Sequence, residues 1–410
     1  MKKTRLKKYA ELIAKVGVNV QKGQEVIIQA ELDQPEFVKM VMDECYKLGA
    51  KKVSVEWSYQ PLTRSHVRYC SEKVLGSLED WQLAKWERQT EVIPCKIYLM
   101  SEDPDGLNGM NMKKYASAMA KRAKLIKPIR QKMENKYQWC IAAVPGAAWA
   151  KKVFPEMRVS AAIEKLWEAI LDTSRVGEDP IGAWKEHNET LAKRCDYLNS
   201  LGLTKLVYKA ENGTDLVVGL SPEVLFMGGG ENALGSGIYF NPNIPSEEIF
   251  TSPMKGQAEG IVYSSKPLAY NGALIENFSM RFEGGKVVEA KAERNEEALR
   301  ELLAMDEGAP YLGECALVPY TSPIRESGIL FYNTLFDENA ACHLAIGRGF
   351  TNLYRGYESM TEEQIHEKGI NDSIVHEDFM IGTKDMSITG ITADGKEVKI
   401  FEGGEWAFEV

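Results

Sequence analysis

Apolar and polar positions alternate between two rhythms along the first half of the chain. Leu6, Tyr9, Ile13 and Val16 recur at helical spacing, and the chain then enters the strand-like Glu25-Val26-Ile27-Ile28-Gln29. A helix is predicted next, opened by Pro35, whose fixed φ suits a first turn, and closed by Gly49, which suits a C-terminal cap. Lys52 to Trp57 reads as the following strand and completes a βαβ unit. Further strands are expected at Lys96–Met100 and Gln138–Val144, with long helices at roughly 113–135, 160–171 and 182–202. Such alternation predicts a twisted, largely parallel sheet covered by helices.

The second half reads differently. Leu206–Lys209 and Leu216–Val218 flank Asn212-Gly213, and Ile388–Ile391 and Val398–Phe401 flank Asp394-Gly395, both strong hairpin signals. Helical pattern is sparse here, clearest from Asn295 to Met305. The expected fold class is therefore α/β, with an N-terminal α/β domain over residues 1–200 and a C-terminal α+β domain over 201–410. A length of 410 residues agrees, being too long for one ordinary core.

Composition narrows the class. With 44% hydrophobic and 27% charged residues the chain reads as a soluble globular protein. No apolar run approaches the ~18 residues of a membrane span. The basic start Met1-Lys2-Lys3-Thr4-Arg5 lacks the apolar core of a signal peptide, so a cytoplasmic location is expected. Seven scattered cysteines without a Cys-x-x-Cys pair argue against disulfides and thiolate zinc. A net charge of −9 argues against nucleic-acid binding.

Candidate chemistry gathers in the second half. On a strand through His376-Glu377-Asp378-Phe379-Met380-Ile381, His376 and Asp378 face one way and Glu377 the other. An imidazole and a carboxylate so placed make a pair of metal ligands. His343 in an apolar run, Glu314 in Leu312–Pro319 and the Glu247-Glu248 pair after Pro245 could complete such a set. Each has a bland alternative: a hydrogen-bonded core histidine for His343, or a helix-opening charge for the glutamate pair. Glu314 resists one, because an unpaired buried carboxylate is costly. Two imidazoles and three carboxylates suffice to hold two divalent ions about 3.5–4 Å apart. His66, His187 and His366 lack carboxylates at useful spacing, and Thr361 with Gln364 reads as a capping box. Gly228-Gly229-Gly230 and Gly235-Ser236-Gly237 read as a loop, since no Gly-Lys-Ser/Thr ending makes them a phosphate cradle.

The stretches NIPSEEIFTSP (243–253), LGECALVP (312–319), LFDENAACHLAIG (335–347), VHEDFMIG (375–382) and ITGITADG (388–395) resemble the thermophilic-type metallo-aminopeptidases, peptidase family M29. Trp139–Trp149 and Val153-Phe154-Pro155 add a weaker match, so the resemblance spans essentially the whole chain. It implies metal ligands at Glu248, Glu314, His343, His376 and Asp378, with Glu314 as a candidate bridge between two ions. It also implies zinc, cobalt or magnesium-class ions, of which nitrogen ligands favour zinc or cobalt. A homodimer is implied, acting on short peptides with a free N-terminus. Glu247, beside a ligand, is a candidate general base whose bland role is a first-turn helix carboxylate. One departure stands out: the family's tyrosine seven residues after the His-x-Ala-x-Gly histidine is Phe350 here, leaving Tyr354 or Tyr357 as candidate replacements. Another dinuclear amide or ester hydrolase, or a catalytically attenuated peptide-binding relative, stays open.

Overall fold

The computed structural model describes residues 2–270 and 273–410. The chain forms two units, Met1–Trp184 with Gly230–Pro245, and Lys185–Gly229 with Ser246–Val410. The passage between them falls inside the Pro180–Ser200 helix, and residues 230–245 return to the first unit.

The first unit holds a five-stranded sheet in the order Asn243–Ile244, Trp139–Ala143, Cys95–Met100, Glu25–Glu31, Lys52–Ser58, every neighbour parallel. The βαβ unit forms as the pattern predicts: Pro35 stands at the first turn of the Pro35–Lys47 helix, and Gly49 follows it at φ +95°. Tyr9 of the first helix stacks on Phe37 at 5.4 Å, and Trp167 of the Val159–Thr173 helix meets both rings. These three rings anchor helices that are far apart in sequence.

The second unit carries two larger sheets. One has nine strands and includes both Asn-Gly and Asp-Gly hairpins, Leu203–Lys209 with Asp215–Gly219 and Ser387–Thr392 with Glu397–Glu402. The other has five antiparallel strands in the order His376–Met380, His343–Gly347, Leu312–Leu317, Ile249–Thr251, Met227–Gly228. The Glu296–Leu303 helix lies where expected. Among the described residues no helix is long and apolar enough to cross a membrane.

Two local readings change. No helix follows Pro245; Glu247 and Glu248 lie in extended chain running into the Ile249–Thr251 strand, so the helix-opening role for the pair falls away. The glycine-rich loop is partly strand: Gly228 pairs with Ile249, and Glu231–Asn232 pairs with Tyr239–Phe240. A Cβ on Gly228 would run into the Glu248 carbonyl, so this strand approaches only because the residue is glycine.

Candidate metal centre

The five-stranded antiparallel sheet sorts its side chains by parity. Ile249, Leu312, Cys315, Leu317, Leu344, Ile346 and Phe379 face the hydrophobic core of the unit. The opposite face presents the row Glu314, Ala345 and Asp378, directly paired across three strands. His343, paired with Ala316 and Met380, and His376, paired with Gly347, lie on the same face. The small Ala345 leaves open space between the two carboxylates.

A β-bulge puts Glu314 there. Leu312 pairs with Ile346 but Glu314 with Ala345, so the register shifts by one residue at Gly313. Without that extra residue Glu314 would keep the parity of Leu312 and point into the core. A side chain on Gly313 would collide with the Gly347 and Arg348 carbonyls. The apolar-looking Leu312–Leu317 segment thus delivers one charged group to the other face.

Two groups of side chains result. Glu248, Glu314 and His343 each offer a ligand atom within 4.8 Å of the others, and so do Glu314, His376 and Asp378. Glu314 belongs to both. His343 Nε2 lies 3.2 Å from Glu248 Oε2, and His376 Nε2 lies 3.1 Å from Glu314 Oε2 and 3.5 Å from Asp378 Oδ1. His343 Nδ1–H donates to the Ala341 carbonyl at 3.1 Å and His376 Nδ1–H to the Arg348 carbonyl at 2.7 Å. Each imidazole is thereby held in the tautomer that turns a bare Nε2 to the cluster, the arrangement that metal-binding histidines use.

The electrostatics ask for positive charge. Burial, with repulsion from Asp378 and Glu248 and relief from His376, pushes the Glu314 carboxyl up to about 7. Burial pulls the His343 imidazole down, but the Glu248 carboxylate outweighs it and brings the group to about 9. His376 is likewise raised well above its ordinary value by Asp378 and Glu314 against burial. Asp378 Oδ1 is buried and accepts no hydrogen bond. Buried carboxylates that borrow protons from neighbouring imidazoles and still leave an oxygen unsatisfied fit a divalent cation, and the mixed nitrogen and oxygen donors suit zinc or cobalt.

Glu338 is the residue that sequence reasoning missed. Burial and the negative charges of Asp378, Glu248 and Glu314 raise its carboxyl well above the usual range, so it faces the same cluster. Its signal was present as Asp337-Glu338-Asn339, three polar residues inside an apolar run. Both flanking residues have structural work: Asp337 accepts from the Phe331 and Asn333 N–H groups, and Asn339 Oδ1 accepts from the Glu247 N–H at 2.6 Å.

Other sequence candidates lie elsewhere. Glu247 points to the opposite side of the extended segment from Glu248, with His187 Nε2 3.9 Å away and Arg194 as a charge neighbour. His187 therefore has carboxylate company that sequence spacing hid, and its Nε2–H also donates to the Ser246 carbonyl at 2.7 Å. His366 has Asp372 at 3.8 Å, one carboxylate and no cluster. Tyr354 and Tyr357 sit with Leu353, Ile365 and Ile370 in a small apolar cluster that also takes in Phe350. The Phe350 ring lies 4.9 Å from the His376 ring, so this site's wall is aromatic without a hydroxyl.

An antiparallel sheet face with two imidazole–carboxylate groups sharing one glutamate defines a metallohydrolase-type centre. The thermophilic metalloprotease family (M29) matches residues 2–406, and the chain belongs to that family. It is 43% identical over 406 residues to aminopeptidase AmpS of Bacillus subtilis (strain 168), covering 98% of each chain. It is 39% identical to aminopeptidase T of Thermus thermophilus, again covering 98% of each. The solved structure of wild-type AmpT from Thermus thermophilus superposes with a TM-score of 0.90 at 38% identity, covering 99% of this chain and 100% of that one. A 2,5-dihydroxypyridine dioxygenase from Pseudomonas putida KT2440 shares the frame alone, with a TM-score of 0.54 at 12% identity over 99% of this chain and 97% of that one.

Proposed function

We propose that this chain is a metal-dependent aminopeptidase that removes N-terminal residues from short peptides. The observation that carries the reading is Glu314, shared by two groups of ligand atoms on one sheet face. Glu248, Glu314 and His343 would hold one divalent ion, and Glu314, His376 and Asp378 a second. Bound zinc or cobalt, or magnesium, supplies polarisation of the scissile carbonyl and acidifies a water. The protein does the rest. Ala341 and Arg348 carbonyls fix the two imidazoles, and the bulge at Gly313 holds Glu314 between them.

Glu338 takes the proton-transfer role in this reading. It faces the cluster, no imidazole neutralises it, and its raised proton affinity suits a group that accepts a proton from water and returns it to the leaving amine. Glu247, turned toward His187, instead positions the segment that carries Glu248. The hydroxyl expected at position 350 falls to Tyr354 or Tyr357, or is dispensed with. The excess of carboxylates also suits the α-ammonium group of a free N-terminus. Family membership further supports a cytoplasmic homodimer with its catalytic half in residues 201–410 and an N-terminal domain in 1–200.

A panel of aminoacyl anilides, assayed with chelated and metal-reconstituted protein beside N-acetylated controls, tests the reading. Metal should restore turnover of free-amine substrates alone. Cleavage by fully chelated protein, or efficient internal cleavage of N-blocked peptides, would refute it.

A further inference from the structure

Beside the carboxylate cluster lies a narrow cavity that the metal-ligand argument does not use. Leu268, Leu274, Leu330 and Met380 form its apolar wall, and Glu338 and Asp378 form the end shared with the cluster. We infer that this cavity receives the side chain of the substrate's N-terminal residue and makes the enzyme select apolar ones of leucine or methionine size. The inference rests on the aminopeptidase reading above and adds to it the substrate class.

The position follows from covalent geometry. In an aminopeptidase the carbonyl under attack belongs to the N-terminal residue, whose Cβ lies about 2.5 Å from that carbon. A carbonyl held at Asp378 must therefore place its side chain in whatever space adjoins Asp378, and this cavity does.

The walls are built rather than incidental. Leu268 and Met380 are nearly fully buried, and Leu330 stands on a loop that Asp337 pins by accepting from the Phe331 N–H at 2.9 Å and the Asn333 N–H at 3.0 Å. Tyr332, between those two donors, adopts φ +54°, a backbone state that L residues enter only when held. Inside the lining, Asn333 Oδ1 is buried and accepts no hydrogen bond. An unsatisfied acceptor in apolar surroundings is costly unless a ligand brings a donor, and a substrate residue brings N–H groups.

Charged side chains are disfavoured on these walls, since four aliphatic groups offer a carboxylate or guanidinium no partner. Each extra methylene buried favours binding by a few-fold, so leucine should exceed glycine by at least tenfold.

Two variants test this, with kcat/KM measured on glycyl, alanyl, leucyl and phenylalanyl anilides using zinc- or cobalt-loaded protein. Ala269→Phe, which narrows the mouth, should cost about tenfold or more on the leucyl substrate and less than about threefold on the alanyl one. Leu330→Ala, which widens the far wall, should raise the phenylalanyl-to-leucyl ratio about tenfold. Equal changes on every substrate in both variants would overturn the assignment. Calorimetry with free L-leucine and glycine on the metal-loaded protein separates this idea from the activity reading. If no anilide is hydrolysed, the aminopeptidase reading fails, while leucine binding that exceeds glycine binding and is lost in Ala269→Phe still supports the cavity. Equal binding of the two amino acids, or none, would overturn it.

Discussion

Two buried sets of charge, one in each unit, meet the same physical problem in different ways. In the first unit Lys96 is 4% exposed on the parallel sheet, its ammonium 4.9 Å from the Trp86 ring centre and 4.7 Å from that of Tyr137. Burial and Arg130 lower this amine to about 8, and the two aromatic faces compensate what charge remains. A single buried charge can adapt by shifting its own titration. In the second unit four carboxylates and two imidazoles share one sheet face, and shifting one raises the cost of its neighbours. That set cannot settle itself by proton exchange alone, which is why it points to a cation and Lys96 does not.

Breaking the shared member should have the largest effect. Glu314→Ala should lower kcat/KM by more than about a thousandfold and remove metal from both groups, measured by metal analysis after dialysis. Retention of near-normal metal content and turnover would mean that Glu314 is a solitary buried acid like Lys96 in kind. His343→Ala and His376→Ala should each cost about a hundredfold or more, whereas His366→Ala, with only one carboxylate nearby, should stay within about twofold.

A pH series sharpens the contrast. Glu314 rises from 4.5 to about 7, so the chelated folded protein keeps a proton that the unfolded chain has lost, and its stability falls across that interval. His343 rises from 6.5 to about 9, so its contribution is complete below 6.5 and lost by about 9. Both act in one direction: the Tm of chelated protein should decline from mildly acidic to alkaline pH. Metal must displace these protons, so the Tm gain from zinc or cobalt should grow over the same range. A metal-induced gain independent of pH would count against proton displacement at this cluster.

Smaller effects come from the edges. Phe350→Tyr should change kcat by less than about tenfold, under ~1.4 kcal/mol, and Tyr354→Phe or Tyr357→Phe should lower kcat with little change in KM if either supplies the missing hydroxyl. A hundredfold gain from Phe350→Tyr with both deletions silent would show an attenuated enzyme. Lys96→Met should leave kcat/KM within about twofold without lowering the Tm, because nothing depends on that charge.

Much of this was legible in the sequence, for reasons that differ by element. The parallel sheet announced itself through alternating strand and helix periods, and both second-half hairpins through Asn-Gly and Asp-Gly. His376 and Asp378 share a face by simple strand parity. Glu314 could be suspected as a charge in an apolar run, but its direction depends on the bulge at Gly313, a register shift that no local pattern encodes. The Glu247-Glu248 pair was ambiguous because a glutamate after proline suits a helix start equally well. The cis Ile244-Pro245 peptide and the strand that follows fix the pair as extended chain, so the two carboxylates part company. Glu338 escaped notice because its partners are 40 to 90 residues away or reached only across strands.

The central claim is that one glutamate serves two ions. Calorimetric titration of zinc or cobalt into chelated wild-type, Glu248→Ala, Asp378→Ala and Glu314→Ala protein measures it directly. The account predicts two equivalents per chain for the wild type, one for each of Glu248→Ala and Asp378→Ala, and none of comparable affinity for Glu314→Ala. Two tight equivalents persisting in Glu314→Ala would contradict it.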